Sequence, residues 1–310
     1  MVKQSNIFNN FNIPKKFKNS IILIGNFDGL HLGHQKLFQL AQSYKKKYNI
    51  KIGVVNFDPM PKMFFNKKLK NFRLTNIDQK IKLLSSLKVD FVVTKKFDKK
   101  FSKTKALNFI SQILIKKLSS KFIFVSNNFR FGNKREGDVN LLIKNEKLFN
   151  YKVVKPEPLI KGKKIVSSSL IRNLLEKGLL DKANNLLKRN WTIQGMVKKG
   201  RQVGKKIGFP TCNIEIEDYV LAKPGVYAVR VLRKNSHKYL KGIANLGYRP
   251  TFNQKKTLLE VHLFNFSGNL YNKLLSVEFL KFIRKEKKFN NVNQLRAQIK
   301  KDLNIAKKTK

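Results

Sequence analysis

The stretch Ile21-Ile22-Leu23-Ile24-Gly25-Asn26-Phe27-Asp28-Gly29-Leu30-His31-Leu32-Gly33-His34 passes from a strand-sized apolar run through a glycine-rich turn into a helix. The helix is signalled by Leu37, Leu40, Ala41 and Tyr44, whose spacing puts them on one face. Outward from this stretch, 50–57 reads as a second strand, followed by a helix with Ile77, Ile81 and Leu84 on one side. A third strand is expected at 91–94, a helix marked by Leu107, Ile110 and Leu114 follows, and 122–126 and 151–154 complete the series. Strands that alternate with amphipathic helices predict an α/β module: a parallel sheet with helices on both faces. Ligands of such sheets bind beyond the carboxyl ends of the strands, which is where residues 25–34 fall.

The composition of that turn points to phosphate chemistry. Gly25 and Gly29 let the backbone turn tightly and approach a ligand. His31 and His34 stand at a strand-to-helix junction, where the helix N-terminal amides also favour anions. Gly33 between them removes a side chain that would block a nucleotide, and two imidazoles can stabilise charge on a phosphoryl group under attack. A structural pair or a pair of metal ligands are the other readings. The nucleotide reading is preferred because both lie in one glycine-rich turn and only His237 and His262 occur elsewhere.

Near residue 188 the texture changes. Helical signals at 168–176 and 181–187 give way to β-rich runs at 192–198, 226–233, 239–246, 258–266 and 275–282. Short strands punctuated by Gly and Pro predict an antiparallel barrel or sandwich, closed by a helix carrying Leu295, Ile299, Leu303 and Ala306. Within this half, Gly195, Gly200, Gly204 and Gly208 lead into Phe209-Pro210-Thr211-Cys212-Asn213. Such a loop can cradle ATP phosphates, with Thr and Asn oxygens suited to magnesium. Glycines at that spacing also mark tight barrel turns. Glu260 sits in a period-2 strand, where a carboxylate commonly faces water.

The bulk numbers set the limits. With 310 residues, 42% apolar content and 25 Phe, the chain can bury two cores. No run approaches the roughly 18 apolar residues of a membrane span, and no secretory segment is seen at the start, so a cytoplasmic protein is expected. One cysteine excludes an internal disulfide and a multi-cysteine zinc site. The net charge of +49 raises nucleic-acid binding. The lysines are spread along nearly every element and form no tail or stripe, which is the pattern of a solvated lysine-rich surface. No nucleic-acid partner is therefore expected.

The turn resembles the HxGH nucleotidylyltransferase signature in the form found in bacterial bifunctional riboflavin kinase/FAD synthetases. The resemblance continues in order through Phe57-Asp58-Pro59-Met60-Pro61, Arg73-Leu74-Thr75, Phe129-Arg130-Phe131-Gly132 and Ser167-Ser168-Ser169-Leu170-Ile171-Arg172. In the second half it covers the loop ending in Thr211-Cys212-Asn213, then Gly225-Val226-Tyr227, Asn245 to Thr251, Leu259-Glu260-Val261-His262 and Arg284-Lys285-Glu286. It spans about residues 20–306. The chain departs from the family pattern at Met60 (usually His), at Asn127 and Asn128 (usually acidic), at Ser169 (usually Thr) and at Cys212 (usually Ala).

This resemblance implies a Rossmann-like adenylyltransferase domain over 1–187 and a riboflavin kinase barrel over 188–310. Riboflavin would be phosphorylated by ATP to FMN, and FMN adenylylated to FAD with release of pyrophosphate. ATP contacts are implied for Gly25, Asn26, Phe27, Asp28, Gly33, Asn128, Ser168 and Arg172 in the first domain, with His31 and His34 on the phosphates. Ser168 also suits a helix N-cap. In the second, Gly200, Gly204, Gly208, Thr211 and Asn213 would hold ATP, the last two also Mg2+, with Glu260 as general base. Pro59, Pro61, Arg284 and Glu286 would meet the flavin. A nucleotidylyltransferase for another substrate is the rival; it leaves the second set of motifs unexplained.

Overall fold

The computed structural model describes residues 6–200, 204, 207–216, 218–250 and 255–309. Contacts divide the chain into two compact units: 1–69 with 77–167, and 70–76 with 168–310.

The first unit is a six-stranded sheet of β1 (Ile7–Phe8), β2 (Ile21–Ile24), β3 (Ile52–Asp58), β4 (Phe91–Lys96), β5 (Phe122–Phe124) and β6 (Lys152–Val154). Its order is β1-β4-β3-β2-β5-β6, and every pairing is parallel. Both faces are covered, so the central strands Ile21–Ile24 and Phe122–Phe124 read as apolar runs, as buried parallel strands do. Alternate residues divide between two cores. Ile21, Leu23, Ile52 and Val54 pack with Leu37, Phe38 and Ala41 of helix α1 (Leu32–Tyr48) and with Leu84 of α2 (Ile77–Ser86). Ile22, Ile24, Val55 and Phe57 pack with Phe109, Ile110 and Leu114 on the opposite face. Each such side chain withdrawn from water stabilises the fold by about 1.5–3 kcal/mol. The direction of connection reverses beside β2, because β3 lies on one side and β5 on the other. That switch point opens a crevice at the carboxyl ends of the two strands.

Two expectations change here. Leu107 is exposed instead of buried on a helix face. Ala106 takes the inward position, packed so tightly that a side chain at Gly132 or Gly137 would strike it, and Phe109–Lys117 is wound as a π-helix. The edge strand β1 is a two-residue element that periodicity could not reveal.

The second unit is a closed barrel of β7 (Thr192–Lys198), β8 (Cys212–Glu215), β9 (Gly225–Arg233), β10 (Tyr239–Pro250), β11 (Lys255–Leu263) and β12 (Leu274–Arg284), in the order β7-β8-β11-β10-β9-β12. All its pairings are antiparallel. The barrel excludes the sandwich alternative. Trp191, Tyr227 and Phe279 fill its interior, with ring centroids 4.8–5.0 Å apart. The terminal helix α5 (Val292–Lys308) packs Leu303 and Ala306 on Val226, Ala228 and Ile243 of the outer wall. Helices α3 (Ser168–Glu176) and α4 (Leu180–Leu187) belong to this unit, as does the strap 70–76. The strap is held by hydrogen bonds from Trp191 Nε1 to the Leu74 carbonyl (3.1 Å) and from Asn71 to the Ile216 carbonyl (3.0 Å).

Candidate active sites

In the first unit the 25–34 turn closes the carboxyl end of β2 with an unusual run of backbone. Phe27 (φ 45°), Gly29 (φ 78°) and Leu30 (φ 38°) all lie in the left-handed region, two of them against the preference of L side chains. Their burial holds the turn: Phe27 and Leu30 are each 2% exposed, and Phe27 meets His34 and Phe38 edge-on at 5.3 and 5.1 Å. His31 caps α1, its Nδ1 accepting from the His34 backbone N–H at 3.4 Å. In the neutral ring the proton is therefore on Nε2, which is a donor.

The His31 and His34 rings stack at 3.7 Å. Burial, reinforced by His31 and Lys80, holds the His34 pKa well below its usual 6.5, so this imidazole is neutral at physiological pH. Gly33 also has a tighter reason than ligand clearance: a Cβ there would press the Val166 carbonyl and the His31 ring at 3.1–3.2 Å. Two buried polar atoms in the turn, Asn26 Oδ1 and His34 Nδ1, have no hydrogen-bond partner among the described residues. Such atoms are expensive to leave unmet and fit a polar ligand that supplies the missing contacts.

Other first-unit candidates surround the same sheet edge. Asp28 is buried within the turn. Asn128 is exposed in the loop after β5 and accepts from Ser126 Oγ at 2.9 Å. Pro59 and Pro61 follow β3, with Pro61 opening the short helix Pro61–Phe65 and Met60 buried at its N-cap. In the second unit, α3 begins at Ser168, so Ser167 and not Ser168 occupies the cap position. Arg172 is 9% exposed, donates Nε to the Phe72 carbonyl at 2.7 Å, and stacks 3.7 Å over the Phe72 ring.

The barrel carries a cavity of about 560 Å³ on its outer wall, bounded on the other side by α5 and the segment leading into it. Register decides what faces this cavity. Asn213 on β8 lies directly opposite Glu260 on β11, and Glu260 lies opposite Asn245 on β10. Directly opposed residues share a face with Cβ atoms about 4.5–5.5 Å apart. Leu259 and Val261 point into the barrel core, which leaves Leu258, Glu260 and His262 on the cavity side. Thr211 lines the same wall one residue before β8 begins, and Gly204 lies beside it.

The glycines leave room for the donors they precede. A Cβ at Gly200 would collide with the Asn213 amide, and one at Gly204 with the Phe209 carbonyl. Gly208 turns the chain with φ 89° and does not line the cavity. The oxygens of Thr211 and Asn213, with the Glu260 carboxylate nearby, suit a hard cation that keeps waters and arrives with phosphates. No cluster of three His, Cys, Asp or Glu that could hold a metal ion exists among the described residues. Cys212 alternates away from this row, and burial pushes its thiol pKa up, as fits a packing residue.

Arg284 is committed to protein contacts as well as lining the cavity. Its Nε meets both Asp302 carboxylate oxygens at 2.8 and 3.1 Å, and Nη2 reaches Asp302 at 2.7 Å. Glu286 accepts from Asn245 Nδ2 at 3.3 Å, and Gly247 has no side chain to displace it. Asn245 and His262 lie in motifs quoted for the resemblance but were given no site role, and Asp302 was not singled out from sequence. Asp302 carried a readable signal, an acid on the apolar stripe of the closing helix; the other two depend on strand register. Thr251, which ends the Asn245 motif, lies outside the described residues.

A parallel α/β unit with a histidine turn at its switch point, and a barrel with a Thr–Asn–Glu wall, together define a two-site nucleotide-dependent transferase. Family models agree: FAD synthetase matches residues 13–170 and riboflavin kinase matches residues 187–310. The chain belongs to the bifunctional riboflavin kinase/FMN adenylyltransferase family. It is 42% identical over 300 residues to the Buchnera aphidicola (Schizaphis graminum) enzyme of that name, covering 96% of each chain. The Escherichia coli K12 enzyme of the same name is 38% identical over 282 residues, covering 91% of this chain and 90% of its own. A solved structure described as a macrolide-efflux protein from Streptococcus pneumoniae matches with a TM-score of 0.84 at 26% identity, covering 98% of this chain and 99% of that one. Among the described residues no helix is long and apolar enough to cross a membrane.

Proposed function

We propose that the two ATP-dependent reactions of this family are divided between the two sites, with kinase chemistry in the barrel cavity and adenylylation at the 25–34 turn. The enzyme phosphorylates riboflavin to FMN, and then joins FMN to the AMP moiety of a second ATP, releasing pyrophosphate. The functional border is proposed at 187/188, supported by family matches that end at 170 and begin at 187. It differs from the packing border, since 70–76 and 168–187 pack with the barrel.

The observation that carries the kinase half is the Asn213–Glu260–Asn245 row, with Thr211 beside it. Glu260 accepts the proton of the riboflavin 5′-hydroxyl as that oxygen attacks the γ-phosphorus and the bond to ADP breaks. Thr211 and Asn213 supply oxygens to ATP-bound Mg2+, which neutralises phosphate charge when present. Gly200, Gly204 and Gly208 let the loop close on the phosphates. Glu286 and Arg284 bound the flavin end, where Arg284 acts while anchored to Asp302.

At the second site an FMN phosphate oxygen attacks the α-phosphorus of ATP. His31 Nε2–H donates to the phosphate under attack, and His34, held neutral, offers a hydrogen bond without a fixed charge. Gly25, Asn26, Phe27, Asp28 and Gly33 shape the nucleotide seat, and Asn128 borders it. Pro59 and Pro61 present the flavin-binding edge. Both reactions consume ATP and the single cysteine suits a reducing compartment, which together support a cytoplasmic enzyme. The test is to supply riboflavin and Mg·ATP and resolve the products by chromatography. FMN should precede FAD, and chelating the metal should arrest phosphorylation. His31→Ala should accumulate FMN, whereas a folded variant that loses both reactions would overturn the two-site reading.

A further inference from the structure

His262 stands two residues beyond Glu260 on the cavity face of β11, with its Nδ1 2.8 Å from the Pro210 carbonyl oxygen. A carbonyl oxygen only accepts, so Nδ1 carries a proton in this bond. The same imidazole meets the Phe209 ring edge-on, centroids 5.8 Å apart at 86°. Phe209 and Pro210 are the last residues of the glycine-spaced loop before Thr211. The backbone ladder between β8 and β11 begins only at Cys212↔Val261, so Thr211 lies one residue outside it. Continued by one residue, that register sets Thr211 opposite His262. Pro210 has no N–H with which to extend the ladder, and Gly208 turns the chain at φ 89° two residues before it. The side chain of His262 therefore supplies the tether that the backbone ladder does not.

We propose that His262 is a positioning residue of the kinase site: by holding the Pro210 carbonyl it fixes Thr211 beside Glu260 and so sets the affinity for the divalent-cation complex of the nucleotide. The inference rests on the reading of Thr211 as an oxygen donor to ATP-bound metal. It requires the donor at Nδ1 and not the ring as such. An asparagine places its amide nitrogen near the Nδ1 position, whereas a glutamine places its amide nearer Nε2.

The test compares His262→Asn with His262→Gln in the full chain, using conversion of supplied FMN to FAD as the control for folded protein. His262→Asn should keep the KM for Mg·ATP within about threefold of the parent. His262→Gln should raise it about tenfold, the size of one lost hydrogen bond, with a smaller change in kcat and none in the riboflavin KM. Calorimetric titration with Mg·ADP should show the same tenfold loss. Amide exchange over 209–213 should quicken in His262→Gln without nucleotide. Equal damage in both variants, or a glutamine variant that binds Mg·ADP as the parent does, would overturn the proposal. Thr211→Ala in the same titration separates the two layers. If it binds Mg·ADP normally, the reading of Thr211 fails and takes the proposal with it. If it weakens binding while His262→Gln does not, only the role of His262 fails.

Discussion

On the proposed assignment the histidine turn and the barrel wall both hold polar groups against a triphosphate, and they do so by opposite means. In the turn, position comes from backbone: Phe27, Gly29 and Leu30 lie at positive φ, Phe27 and Leu30 are locked in the core, and the turn leads into two imidazoles stacked on one another. In the barrel, position comes from register: Asn213, Glu260 and Asn245 stand on three neighbouring strands, and their alignment follows from pairing alone. A buried turn can tune protonation, as it does at His34. A wall on the outside of a barrel keeps its carboxylate within reach of solvent and relies on a covering helix to form the cavity. The lesson is that failure should spread differently. Side-chain changes in the wall should remain local, whereas changes in the turn should disturb both chemistry and packing.

The largest effect is expected at Glu260. Glu260→Gln preserves shape and removes the proton acceptor, so kinase turnover should fall about 10²–10⁴-fold with riboflavin affinity nearly unchanged. Conversion of added FMN to FAD should continue, and a near-parental kinase rate would break the register argument. Next, His31→Ala removes one donor at the phosphate and also the α1 cap. Adenylylation should drop about 10²–10³-fold, with about 1 kcal/mol lost in denaturant unfolding. Loss of rate without any loss of stability would show that the turn is less integrated with the core than its packing implies.

Asp302→Ala sharpens the barrel side. Breaking a buried pair that includes a 2% exposed carboxylate should cost about 3 kcal/mol in equilibrium unfolding of the barrel unit. The riboflavin KM should rise more than kcat falls. A smaller effect is expected from pH. Below about 6.5 the unfolded chain takes up a proton at His34 that the folded chain refuses, so stability should fall as pH drops through that value. One such group contributes a slope of at most about 1.4 kcal/mol per pH unit. His34→Asn should flatten the slope, compared by denaturant titration at pH 7.5 and 5.5, and an unchanged slope would count against the buried neutral ring.

The parallel sheet was legible because buried strands such as Ile21–Ile24 and the face of Leu37 and Ala41 announce themselves by local pattern. The histidine turn was legible because strand, glycines and helix are contiguous. Leu107 misled because helix spacing cannot report which neighbour comes close: Ala106 faces inward to meet the hairpin carrying Gly132 and Gly137. Gln79 and Lys80 are buried in α2 although nothing in their chemistry suggests it. In the barrel, Thr211, Asn213 and Glu260 could be named, but that Asn213 faces Glu260, or that His262 reaches Pro210, depends on pairings between residues nearly fifty or more positions apart. Local sequence carries no register across such distances.

The strap 70–76 has a consequence for how the chain comes into being. Leu74 precedes its partner Trp191 by 117 residues, and Asn71 precedes Thr257, whose hydroxyl accepts its amide at 3.1 Å, by 186. A ribosome delivers the strap while the barrel that claims it is still unwritten, and then completes the surrounding α/β segments 77–167 first. At about 5–20 residues per second, the strap waits on the order of ten seconds or more for Thr257. Synthesis in order of sequence thus cannot finish one half before beginning the other, because the second half includes a loan from the first. The same entanglement bears on any attempt to separate the two activities by cutting the gene: a piece starting at residue 188 leaves behind the strap and both helices that its barrel packs against, whereas point changes in the two sites leave the strap in place.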